Sequence, residues 1–222
     1  MLTKGIVVCI IKLTKKRVKN ILEKEEIRLQ QFNKMLEEYR NKGYKDSLHT
    51  ISIKKANIVG LIITVPVFVV FYALYYLING LEGFDNFSLP QLFVAFISIF
   101  VLIVVHELLH GLSWGLFCQK KYRSIEFGLI KEYMTPYCCC KEPLKKVPYL
   151  LGCGMPLFVL GIMMAIIAIA CQSGLWLFVA ANNTISAIGD IMVMIEVIKH
   201  QGNDDLFIDH PCQAGFVSIS KM

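Results

Sequence analysis

The sequence predicts an all-α integral membrane protein: about four transmembrane helices, an N-terminal cytoplasmic amphipathic helix, and room for a small β-hairpin in the central cytoplasmic loop. Three observations carry this. First, 55% of the 222 residues are hydrophobic and only 18% are charged, where a soluble domain carries about a quarter charged residues. Second, four apolar runs each reach the roughly 20 residues that a helix needs to cross a hydrocarbon core about 30 Å thick. Third, Lys and Arg are crowded into alternate connections between those runs, the pattern of a multi-pass chain under the positive-inside rule. The same apolar bulk excludes a disordered chain.

Residues 1–56 form a basic segment, with 14 of the 23 Lys and Arg against six of the 17 acids before Ala56. Residues 12–45 are rich in Lys, Glu, Leu and Gln. Ile21, Leu22, Ile27, Leu29, Phe32, Met35 and Leu36 give an irregular apolar stripe, and Gly43 is placed to stop a helix. Such a helix is expected on the inner leaflet of a lipid bilayer or on the bundle. With Glu interleaved and no nucleic-acid motif, nucleic acid is not an expected partner.

Residues 57–200 hold the expected spans, at Ile58–Ile78, Leu89–Phe117, Tyr149–Cys171 and Leu175–Ile198. Pro90 suits a helix start. The connections at 82–88 and 172–174 carry no Lys or Arg, whereas 118–148 carries seven. This places that loop and both termini in the cytoplasm. Residues 201–222 are a cytoplasmic tail, with a turn at Asp209-His210-Pro211 before a short strand at Phe216–Ile219.

The sharpest motif is His106-Glu107-Leu108-Leu109-His110, inside the second run. On a helix, positions i and i+4 share a face, so both imidazoles can meet one tetrahedral Zn²⁺. Glu107 stands beside the first histidine, where a carboxylate can serve as general base toward water activated by the metal. Three ionisable groups in five residues of an apolar helix are costly unless paired or metal-bound. Gly111 and Gly115 remove bulk nearby, which allows a close helix approach. A catalytic zinc takes three protein ligands, and Asp190 in the fourth run is the candidate for the third. Asn183, Ser186 and Asp190 fall at i, i+3 and i+7 on one helix face, which makes Asn183 and Ser186 candidates for supporting contacts. Gly189 offers close packing beside Asp190. Counted from the cytoplasmic ends of their spans, the histidines and Asp190 both lie about ten residues deep, so they can share one ion. Glu196 points elsewhere, toward the interface.

Together with Thr135-Pro136-Tyr137-Cys138, Cys140-Lys141-Glu142-Pro143-Leu144, Gly189-Asp190 and Asp209-His210-Pro211 followed by Gly215, this motif resembles the DUF3267 family, zincin peptidases of the bacterial membrane. The resemblance covers most of Ile58–Ile219. It implies a membrane-embedded metallopeptidase similar in outline to site-2 proteases, in which two histidines and a distant aspartate hold zinc; here these would be His106, His110 and Asp190. Where the family pattern has a histidine between the two cysteines, this chain has Cys139.

Cys138-Cys139-Cys140 is open to a structural, a redox or second-metal, or a lipidation role. Ile125–Ile130 reads as a strand that could begin a hairpin over the site, or as ordinary loop. Asp209 or His210 could support the metal or replace a ligand if the tail folds back. The leading expectation is a zinc endopeptidase acting on membrane proteins or membrane-proximal peptides. A non-catalytic metal-binding scaffold and a metal transporter are the alternatives. Glu107 argues against the first, since a structural site needs no base, and the scarcity of polar groups in the first and third runs argues against the second.

Overall fold

The computed structural model describes residues 25–83, 88–130, 135–202 and 204–221. The part of the expected amphipathic helix before residue 25 lies outside them. Residues 25–41 form helix α1. It is followed by β1 (Tyr44–Thr50), α2 (Ile53–Asn79), α3 (Leu89–Phe117), a 3₁₀ turn (Lys121–Ser124) and the strands β2 (Ile125–Ile130), β3 (Thr135–Cys140) and β4 (Leu144–Lys145). Then come α4 (Lys146–Pro156), a π-helical turn (Leu157–Met163), α5 (Met164–Ala170), α6 (Gly174–Ser186), α7 (Ile188–Lys199), β5 (Leu206–Asp209) and β6 (Gly215–Lys221).

Three helical stretches are long and apolar enough to cross a membrane: α2, α3 and the run Lys146–Ala170. The pair α6 and α7 qualifies as a fourth when its two halves are counted as one, bent by 46°. Local chemistry explains where these helices start and stop. Ser52 caps α2 by accepting from the Lys55 N–H, and Gly80 ends it in the left-handed region at φ 63°. Ser88 and Gln91 form a reciprocal capping box at the start of α3, so two orphan N–H groups are satisfied by side chains. The fourth run is predicted as one continuous helix, and the structure breaks it at Ala187. There the Ser186 hydroxyl donates to the Asn183 carbonyl, and the Asn183 amide donates to the Val179 carbonyl. The Asn183 carbonyl also keeps its helical bond from the Ala187 N–H, so these side chains back-bond to the last turns of α6 on the near side of the bend.

The fold is not purely helical. Beyond the hairpin of β2 and β3, a four-stranded antiparallel sheet in the order β1-β6-β5-β4 caps one end of the bundle. Of its strands, the sequence pattern indicates only the one near Phe216–Ile219. Its inner strands β5 and β6 are buried on both faces. Phe207 and Phe216 pack with Tyr149, Trp114 and Val197 at the base of the bundle. Ile208, Val217 and Ile219 pack against Phe32 and Leu36 of α1. Phe32, Met35 and Leu36 of the α1 stripe are thus spent on the sheet, Ile27 and Leu29 stay exposed, and α1 forms an outer layer over the sheet.

Candidate metal centre

His106 and His110 lie one turn apart on the buried face of α3. Asp190 sits in the first turn of α7, where the positive end of the helix dipole favours a carboxylate. The bend at Ala187 creates that helix start. The Asp190 oxygens lie 3.0 Å from His106 Nε2 and 3.3 Å from His110 Nε2. One ligand atom from each residue falls within 4.8 Å of the others, which makes these three a group able to hold a metal ion.

The hydrogen bonds around the group fit a cation. His110 Nδ1–H donates to the Gly152 carbonyl at 2.8 Å. His110 Nε2 then faces a carboxylate oxygen, an arrangement completed by a proton on Nε2 or by a metal ion between the two. Orientation of a ligating imidazole by a carbonyl on its far nitrogen is the common second layer of a zinc site.

Helix α4 supplies that carbonyl because Gly152 lets it come close. A Cβ on Gly152 would fall 2.0 Å from the Trp114 ring. Trp114 stacks on His110 at 5.2 Å and on Tyr149 at 5.7 Å, and its indole N–H donates to the Tyr149 carbonyl. Nothing in the sequence marks a backbone carbonyl as part of a site, and Gly152 was not singled out there.

Gly111 and Gly115 open space for the loop that follows α3, not for another helix. A Cβ on Gly111 would strike Phe127 and Ile125 of β2, and one on Gly115 would strike the Tyr122 ring. Gly189 has open space around it. The hairpin alternates along α3. Ile125 and Phe127, paired with Cys140 and Cys138, face the helix, while Glu126 and Gly128, paired with Cys139 and Tyr137, face away. Glu107 is half-buried, and the backbone N–H of Cys138 lies near its carboxylate.

Asn183 and Ser186 bond carbonyls of their own helix and, among the described residues, no member of the cluster. The bend at Ala187 separates them from the face that carries Asp190. Glu196 is paired with Lys199. His210 accepts from the Cys212 and Gln213 backbone N–H groups in a turn and lies outside the cluster.

Asp209 is the tail residue that reaches inward. The Tyr149 hydroxyl donates to one of its oxygens at 2.5 Å and the Cys140 N–H to the other at 2.8 Å. Burial pushes its pKa up to about 6 despite those two donors. It therefore joins β5 to the first turn of α4, one turn from Gly152, and to β3, two residues from Cys138. Burial also raises the Cys138 and Cys139 thiols, and the Cys118 contact followed by burial raises Cys140. These sulfurs are held protonated, and Cys118 and Cys140 lie 3.4 Å apart where the hairpin meets the end of α3. Thiols so held are packing groups more than nucleophiles.

No curated protein and no solved structure matches the chain. Residues 99–204, which carry all three members of the cluster together with Glu107 and Gly152, match the model of the DUF3267 family, described as "Putative zincin peptidase", the family that the sequence motifs resemble.

Proposed function

We propose that this chain is a membrane-embedded zinc metallopeptidase that hydrolyses peptide bonds of membrane or membrane-proximal proteins. The observation that carries the reading is the convergence of His106, His110 and Asp190 on one point inside an apolar bundle, with Glu107 beside it. His106, His110 and Asp190 would hold the ion, which when bound supplies Lewis acidity toward a peptide carbonyl and toward water. Glu107 takes the proton of the attacking water on its carboxylate and later delivers it to the leaving amine nitrogen. The Cys138 N–H near the carboxylate would steady it while it does so. The hairpin runs beside Glu107 with Phe127 and Leu129 half exposed, and its edge would suit an apolar segment bound in extended form.

The sheet supports the topology. β1 precedes α2 and β6 follows α7, and the two pair along their whole length. The chain thus enters and leaves the bundle at one end, so the number of crossings is even, in favour of four with α6 and α7 as one broken span. The Lys- and Arg-rich connection 118–148 lies at that same end, which supports a cytoplasmic sheet in a bacterial cell membrane.

The test is Glu107→Gln, with zinc content and cleavage of a co-expressed membrane substrate measured on the same preparations. Zinc should stay near one per chain, and cleavage should fall by about 10²–10⁴-fold. A Glu107→Gln protein that cleaves as well as wild type removes the peptidase mechanism and favours a metal-binding scaffold.

A further inference from the structure

A second cleft, of about 260 Å³, lies on the outer side of the hairpin, between α1 and the turn after α3. Its walls bring together four cations from separate parts of the chain: Arg28 of α1, Lys120 and Arg123 around the 3₁₀ turn, and Lys141 after β3. Three carboxylates line it as well, and all three are already engaged. Asp209 accepts from the Tyr149 hydroxyl and the Cys140 N–H. Glu126 is paired with Arg28 at 2.9 Å and with Lys141 at 3.7 Å. Glu142 accepts from the Gln119 and Lys120 N–H groups and from the Ser124 hydroxyl, and these bonds hold it ionised, its pKa lowered against the cost of burial.

Lys120 feels Glu142 at longer range, but neither Lys120 nor Arg123 makes an ion pair within 4.0 Å among the described residues. Arg28 adds a second, independent sign. Its Nη1 is satisfied by Glu126 and by the Tyr137 hydroxyl. Its Nε–H is buried and, among the described residues, is the side-chain polar atom left without a hydrogen-bond partner. A buried N–H without an acceptor is costly. An acceptor in the cleft would remove that cost.

We infer that this cleft is a binding site for a phosphate group. Phosphate oxygens suit a guanidinium fork and an ammonium together, and they would accept from the orphan Arg28 Nε–H. Phe32 and Met35 give the cleft an apolar side, so the ligand carries the phosphate on an organic part. Lys120 and Arg123 follow directly on the end of α3, at the level where a phospholipid headgroup would stand. A water-soluble phosphate ester offers the same chemistry. Either would tie α1, the end of α3 and the root of the hairpin to one another. The site does not depend on the chain being a peptidase.

The full chain in detergent is titrated with dioctanoyl phosphatidic acid, dioctanoyl phosphatidylcholine and glycerol 3-phosphate, with adducts counted by native mass spectrometry. Wild type should take up one phosphatidic acid saturably, in preference to phosphatidylcholine. The variant Lys120→Gln/Arg123→Gln should weaken this by about tenfold or more. Lys54→Gln/Lys55→Gln, which removes the same charge from exposed positions at the start of α2, should leave it within about twofold. Binding of glycerol 3-phosphate as tight as that of phosphatidic acid identifies a soluble ester as the source, and binding of phosphatidic acid alone identifies a lipid. The inference is overturned if neither phosphate monoester binds or phosphatidylcholine binds equally well. It is also overturned if the first variant binds like wild type or the two variants lose binding equally.

Discussion

At the scale of single residues, the metal centre depends on groups that are not ligands. Gly152 is the clearest. Its carbonyl aims His110, and only the absence of a Cβ lets the Trp114 ring lie against it. Gly152→Ala should cost about 1–3 kcal/mol of stability, the range for an overpacked core, and should lower zinc affinity by about 10–100-fold as His110 loses its orientation. Thermal unfolding and metal analysis in detergent would read both. Asp209 gives a pH signature. Its ordinary pKa of 3.8 rises to about 6 in the fold. Between those values the folded protein keeps a proton that the unfolded chain has released. Stability from this group is therefore full below about pH 4 and falls as pH rises through 6, by about 3 kcal/mol in all. Asp209→Asn should flatten the fall in melting temperature between pH 4 and 7, and an unchanged profile would assign it to other groups. The histidines and Asp190 were legible in the sequence because helical spacing and depth are written in residue order. Gly152 and the inward reach of Asp209 were not, since one acts through its backbone and the other through a sheet assembled from distant segments.

At the scale of elements, the hairpin is held from both sides. Phe127 and Cys138 lie toward α3, while Arg28 of α1 grips Glu126 and Tyr137 from the other side. Arg28→Ala removes charged hydrogen bonds that each contribute about 1.5–3 kcal/mol. Amide exchange in residues 125–140 should accelerate by about ten- to a hundredfold, with β5 and β6 unchanged. Equal protection in the variant would mean that α1 does not clamp the hairpin. The strand Ile125–Ile130 could be read from its apolar β-formers. Its partner, with one proline and three cysteines, has no such pattern. β1 is polar and half exposed, and it is a strand only because β6 pairs with it. The break in the fourth span was hidden for a related reason. No proline marks it, and Asn183 and Ser186, placed by the helical wheel on the face of Asp190, instead donate to carbonyls of α6.

At the scale of the whole molecule, the four apolar runs were evident from length and composition, and the sheet that closes them was not. Two exposed cysteines sit at opposite ends of the bundle: Cys171 between α5 and α6, and Cys212 between β5 and β6. With an impermeant maleimide on intact cells, mass spectrometry should find the label on Cys171 and not on Cys212. Label on Cys212 alone would invert the orientation. The sheet also sets the order of assembly. Ser218 of β6 bonds the Ser47 carbonyl of β1 across 171 positions of sequence, and β6 lies between β1 and β5. Contacts so distant along a chain form late and slowly. During synthesis β1 must wait until every helix of the bundle has been made, and Asp209 can brace α4 and the hairpin only when β6 arrives to complete the sheet. A nascent chain therefore has its two histidines early but lacks the finished surroundings of the candidate metal centre until β6 has been made.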